Sequence, residues 1–295
     1  MRNRCISLMA LLLAVLAFHP ALFAQGRGEA RQPGVPIDPR PFDPHDLAGI
    51  WSRAVRDGGP QCGDECGDRG INNDVPPMTP DGQKRFEANK PSYGRALGSP
   101  LNGEHIGRVR AIPPALNNDP NGMCNPSGPT RMMIYPDPIE FLVTPDRLIM
   151  HMEWTSNWRE IWTDGRTSPA NPDLPRWYGY SAGRWEGNTF VVDTTGVDDR
   201  TWLDHFGYPH SDQMHLQERY RRFAYNKLEL TMTIDDPNTY TKPWVSQRKV
   251  FILQNKSKLV NDGWQGLLDM TCAPVDEVEQ FNKRVRDPVG GVIHQ

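Results

Sequence analysis

Basic charge is in short supply in this sequence. Lys and Arg number 33 against 36 Asp and Glu, for a net charge of −3, and no basic block interrupts the chain. The electrostatic footprint of a nucleic-acid binder is therefore missing. Long apolar runs are missing as well. The one from Ile6 to Phe18 falls short of the roughly 20 residues that cross a bilayer, and no later segment comes near it, so no membrane span is expected. No glycine-rich phosphate or dinucleotide loop sits between a strand and a helix. Ser211 lacks the glycine frame that exposes a nucleophilic serine. No cofactor, no metal and no acyl-enzyme chemistry are expected.

Cysteine is scarce, at five residues. Cys5 lies between Arg4 and the Ile6–Phe18 run, with Ala21-Leu-Phe-Ala24 ahead of a polar, Pro- and Gly-rich stretch. This is the layout of a secretory signal peptide over residues 1–24, cleaved near Ala24, and it predicts a periplasmic or secreted protein. Cys5 precedes the apolar run, where a lipoprotein cysteine would follow it. Cys62, Cys66, Cys124 and Cys272 remain after cleavage. An even number in an exported chain predicts two disulfides; of the three pairings, Cys62–Cys66 with Cys124–Cys272 is favoured. A metal loop at Cys62-Gly-Asp-Glu-Cys66 is set aside because no second ligand pair at zinc spacing accompanies it.

Residues 25–45 read as a flexible linker, 46–286 as one β domain and 287–295 as a tail. Within the domain, 54–128 is a loop-rich insertion carrying one helix at 79–89, with Thr79 as N-cap and Pro80 at the first helical position. A loop of that length suggests a lid or a binding surface. Strands are expected at 47–51, 131–135, 140–144, 147–154, 158–163, 177–185, 188–194, 214–223, 227–234 and 246–254, separated by turns such as Asp164-Gly165 and Glu186-Gly187-Asn188. Short turns without interleaved helices predict a mainly β fold, an antiparallel meander closed into a barrel or, alternatively, folded into a sandwich. A last helix is expected at 276–286, where Val278, Phe281 and Val285 share one side.

Chemically capable side chains concentrate between Trp177 and Arg222. Alternation puts Met214, Leu216, Glu218 and Tyr220 on one strand face, and a carboxylate there needs a cationic partner or a raised pKa. Glu218 is thus a candidate acid or base; its alternative role is an ion pair with an inward arginine such as Arg184. His205, His210 and His215 recur every fifth residue, a spacing that shares no face of a strand or helix and so argues against a metal site. His210 is the candidate to act with a carboxylate. Asp164-Gly-Arg166 ends a strand, and Arg166 is suited to hold a carboxylate of the protein or of a ligand.

Trp154, Trp158, Trp162, Trp177, Trp185 and Trp202 are six of the nine tryptophans. Trp158, Glu160 and Trp162 share one face of their segment, and His151 and Glu153 share a face of theirs. Rigid aromatic walls with a few polar groups describe a small-molecule pocket, an ordinary sheet core, or a surface for stacking sugar rings.

The opening Gly49-Ile-Trp51, the meander and the closing helix resemble the lipocalin-like, or calycin, barrels. That resemblance implies a barrel whose opening tryptophan plugs one end and whose cavity takes small apolar molecules; the 54–128 insertion and the chain length depart from it. The runs Trp158-Arg-Glu-Ile-Trp-Thr-Asp-Gly-Arg166, Gly183-Arg-Trp-Glu-Gly-Asn188, Pro209-His-Ser211 and Glu218-Arg-Tyr220 resemble a widespread group of exported bacterial proteins. It implies export and a shared site, and supplies no reaction. The leading expectation is a barrel that binds a small, partly apolar or aromatic molecule among the tryptophans, with Tyr220 contributing and the 54–128 loop closing over it. The alternative is an isomerase, lyase or hydrolase in the same pocket, with His210 and Glu218 as acid and base and Arg166 or Arg184 stabilising charge. A structural envelope protein would need only the fold.

Overall fold

Period-two alternation is the dominant physical signal, and it folds as expected. In the segment Lys227–Asp235, Leu228, Leu230, Met232 and Ile234 are buried while the residues between them are part-exposed. The computed structural model describes residues 34–54, 70–72, 74–89, 118–170, 172–204, 206–254, 266–268, 270 and 272–274. The expected signal peptide, Cys62, Cys66, His205, the 276–286 helix and most of the 54–128 loop lie outside the described residues.

Ten strands follow in chain order: β1 Gly49–Arg53, β2 Ile139–Val143, β3 Arg147–Met152, β4 Trp158–Trp162, β5 Tyr180–Glu186, β6 Thr189–Thr195, β7 His215–Ala224, β8 Lys227–Asp235, β9 Trp244–Val245 and β10 Lys249–Leu253. They form one sheet in the order β10-β1-β2-β3-β4-β5-β6-β7-β8-β9, and a further pairing of β10 with β8 closes it into a mixed barrel of 9 strands. Strand β9 pairs with the far end of β8, outside the closed ring. The fold is a barrel, not a sandwich.

One pairing departs from a pure antiparallel meander. Strands β4 and β5 run parallel and share only Ile161↔Ser181 and Trp162↔Ala182. A parallel neighbour cannot be reached through a tight turn, so the chain crosses over through 163–179.

A second departure concerns residues 131–135. Helix α1, Pro80–Asn89, is capped as expected, with the Thr79 hydroxyl accepting from Gly82 N at 3.1 Å. At 131–135, by contrast, the expected strand is replaced by a short helix, α2, Pro129–Met132, continued by a turn. Pro129 supplies a fixed φ at the first helical position. Met132, Met133 and Ile134 are all fully buried. A short, continuously apolar run reads equally well as a buried strand or a buried helix.

These three residues pack with Trp51, Phe141, Met150, Met152, Ile161, Met232 and Phe251 in one core. The barrel interior is thus filled by protein side chains. Trp51 is buried, its indole N–H donates to Leu47 O at 2.9 Å, and the Arg222 guanidinium lies 5.4 Å over its ring while donating to Asp46 O and Tyr225 O. The barrel is compatible with a lipocalin-like one. Cys124 and Cys272 form the expected disulfide, with Cα atoms 5.7 Å apart. Nearby, Glu153 accepts from Leu268 N at 2.8 Å and Ser156 donates to Met270 O. Among the described residues no helix is long and apolar enough to cross a membrane.

Candidate functional site

The short parallel pairing leaves β4 and β5 flanking a cleft of about 490 Å³, whose remaining wall is the 163–179 crossover. On β4, alternation turns Arg159 and Ile161 inward and leaves Trp158, Glu160 and Trp162 toward the outside. Trp158, Trp162, Trp177, Glu160 and Arg166 all line the cleft, as do Arg176, Tyr178 and Tyr180, with Arg159 and Ser181 among its residues as well. The tryptophans therefore flank a groove in the barrel wall and not an internal cavity.

Guanidinium groups cover the aromatic faces. Trp162 carries Arg166 at 3.8 Å and Arg147 at 4.6 Å from its centroid; Arg200 lies 4.4 Å over Trp177, and Arg176 lies 4.5 Å over Tyr180. Arg166 is held by the protein's own Asp164, Nε to Oδ1 at 2.9 Å and Nη2 to Oδ2 at 2.6 Å. This hydrogen bonding holds the Asp164 carboxyl below its ordinary range. Trp158 is different. His151 stacks flat on it at 3.9 Å, and 52% of its surface is still exposed.

The backbone of the crossover is tightly fixed beside β6. Arg176 N donates to Gly196 O at 2.9 Å, and Arg176 O accepts from Gly179 N at 3.0 Å and Asp198 N at 2.9 Å. Gly179 has φ +65°, and a Cβ there would come within 2.6 Å of Thr195 O, so the turn requires glycine.

Behind the cleft lies a polar network inside the barrel. Arg159 and Glu218, both with fully buried side chains, form a two-pronged ion pair, with Arg159 Nη1 to Glu218 Oε1 at 2.9 Å and Nη2 to Oε2. Tyr220 Oη donates to Glu218 Oε1 at 2.7 Å, and Arg159 Nη2 also donates to Thr194 Oγ1 at 3.0 Å and Ser181 Oγ at 3.2 Å. Burial, with the Glu218 charge next to it, pushes the Tyr220 phenol well up. For Arg159 burial is the largest single influence and works the other way, but the charge and hydrogen bonds of Glu218 together with Tyr220 outweigh it and the guanidinium pKa is raised. Glu218 sits on the apolar face as expected, but its partner is Arg159 and not Arg184. The missed signal was β4's own alternation: a residue between outward Trp158 and outward Glu160 must point inward.

Arg184 lies on the outside of the barrel, bonded to Glu186 and Asp193; His215 and Gln217 reach the same Asp193 at 3.0 and 3.1 Å. His210 is buried in the loop before β7. Its Nδ1 donates to Ser211 O at 2.9 Å, and its Nε2 lies 2.7 Å from the Thr201 hydroxyl, which is also 3.0 Å from Asp198 O. Ser211 itself donates to Asp236 Oδ1 at 2.7 Å. Among the described residues His210 and Glu218 share no hydrogen-bond partner, and neither they nor Arg184 and Asp164 line the cleft. Trp154 packs on Tyr135, Trp185 on His45 and Phe190, and Glu153, raised by burial, holds Leu268; these and Tyr220 lie outside the cleft lining too. No group of three or more potential metal ligands occurs among the described residues.

Burial pushes the His210 imidazole below its ordinary value of 6.5. The unfolded chain then binds a proton that the folded state refuses. Stability is full above pH 6.5 and falls as the pH drops below it, levelling off at the lower folded value. Thermal melts on either side of that value should show the loss, and His210→Gln should remove part of it; an equal pH slope in the variant would refute the assignment.

Comparison with protein-family models, curated proteins and solved structures finds no match to this chain.

Proposed function

We propose that this is an exported protein that binds a small, partly apolar or aromatic molecule in the cleft between β4 and β5. The observation that carries the reading is Trp158, immobilised by His151 on one face and half-exposed beside a groove lined by further aromatic residues. A flat ring fixed in this way loses little conformational freedom on binding and presents a surface for stacking. The disulfide supports export.

Titration of naphthol, a neutral flat probe, followed by tryptophan fluorescence tests the reading. Trp158→Ala should weaken binding about two- to tenfold, corresponding to the ~0.5–1.5 kcal/mol of an aromatic pair, and leave the melting temperature unchanged. Binding unaffected by both Trp158→Ala and Trp162→Ala would refute this location. Native mass spectrometry of protein purified without added ligand would identify a retained natural one.

A further inference from the structure

Three arginines of this fold sit on an aromatic ring while gripping an aspartate two residues earlier in the chain. They are Asp38-Pro-Arg40 on Tyr225 at 3.9 Å, Asp164-Gly-Arg166 on Trp162 at 3.8 Å, and Asp198-Asp-Arg200 on Trp177 at 4.4 Å. In each the arginine's Nε and backbone N–H both meet the aspartate, the latter at 3.0, 3.3 and 3.0 Å. The ring occupies the guanidinium face and the carboxylate its in-plane donors.

Arg176 repeats the arrangement with one part missing. It stacks on Tyr180, its backbone is fixed by three hydrogen bonds, and it lines the cleft. Two residues earlier stands Leu174, 74% exposed, where the other three arginines have aspartate. Among the described residues Arg176 has no carboxylate partner. The other charged side chains of the cleft are already matched, Arg159 by Glu218, Arg166 by Asp164 and Glu160 by Arg147. The unmatched charge of the cleft is therefore an exposed, stacked guanidinium whose in-plane donors meet no carboxylate among the described residues.

We propose that Arg176 is the anion-recognition residue of the cleft, and that the molecule bound there is a planar aromatic or apolar carboxylate whose carboxylate completes the Tyr180–Arg176 unit. This rests on the cleft being the binding site. Naphthoate and naphthol, compared at neutral pH by tryptophan fluorescence, separate the two ideas. Naphthoate should bind at least tenfold tighter than naphthol. Arg176→Gln should cut the preference for naphthoate over naphthol, read as the ratio of the two affinities in the same variant, to about twofold or less. Leu174→Asp supplies the missing carboxylate from within the chain and should also weaken naphthoate at least tenfold. Equal affinity for the two probes, or naphthoate binding untouched by either variant, would overturn the anion assignment while Trp158-dependent naphthol binding kept the cleft. Binding of neither probe would overturn both.

Discussion

Glu218→Gln should destabilise the protein by about 3–5 kcal/mol, because it leaves the Arg159 guanidinium charged, fully buried and without its counter-ion. For a chain of this size that corresponds to roughly 6–20 °C in melting temperature. Glutamine keeps the shape of the side chain and one acceptor oxygen but turns the other into a donor facing the Arg159 guanidinium, so the loss combines the charge with a hydrogen bond. Replacing both partners, Arg159→Met with Glu218→Leu, removes the desolvation cost of two ions along with their attraction and should recover most of the loss. Glu186→Gln, at an exposed pair with Arg184 and Arg219, serves as the control and should melt close to the wild-type temperature. Melting of Glu218→Gln at the wild-type temperature would show that the pair does not hold the two walls of the barrel together.

Removing the Cys124–Cys272 disulfide should have an effect of similar size by a different route. Its partners are 148 residues apart in sequence. The chain-entropy argument gives about 5 kcal/mol for a closed loop of that length, acting on the unfolded chain. The double substitution Cys124→Ala with Cys272→Ala tests this by urea denaturation. The midpoint should fall and the slope should steepen, since an uncrosslinked unfolded chain exposes more surface. A midpoint equal to that of the oxidised wild type would dismiss the disulfide as a source of stability.

Side-chain alternation was legible because its physics is local. The buried face of β7, with Leu216, Glu218 and Tyr220, follows from period two alone, and so do the outward Trp158, Glu160 and Trp162 of β4. Partner choice is not local. Nothing within β4 states that its neighbour is parallel, so the splayed seam that creates the cleft was hidden, and with it the value of Arg176. Arg159 is hidden for a simpler reason: Trp158, Glu160 and Trp162 mark the opposite face of β4 as the one that carries chemistry. The buried run at 132–134 defeated period counting because all three of its side chains are apolar and enclosed. His210 anchors a loop, and His215 lies outside on β7.

Every residue lining the cleft falls between Trp158 and Ala182, a single uninterrupted stretch of chain. The pairings of β10 with β1 and β8 use none of it, although β4 and the start of β5, which lie within it, belong to the ring. On the proposed binding role, selectivity would be modular in this fold. Insertions or substitutions in the crossover can reshape what is bound while the hydrogen bonds that close the ring stay as they are. A relative with a different 163–179 segment would be expected to keep the barrel and change its ligand, and grafting that segment alone should carry the preference with it.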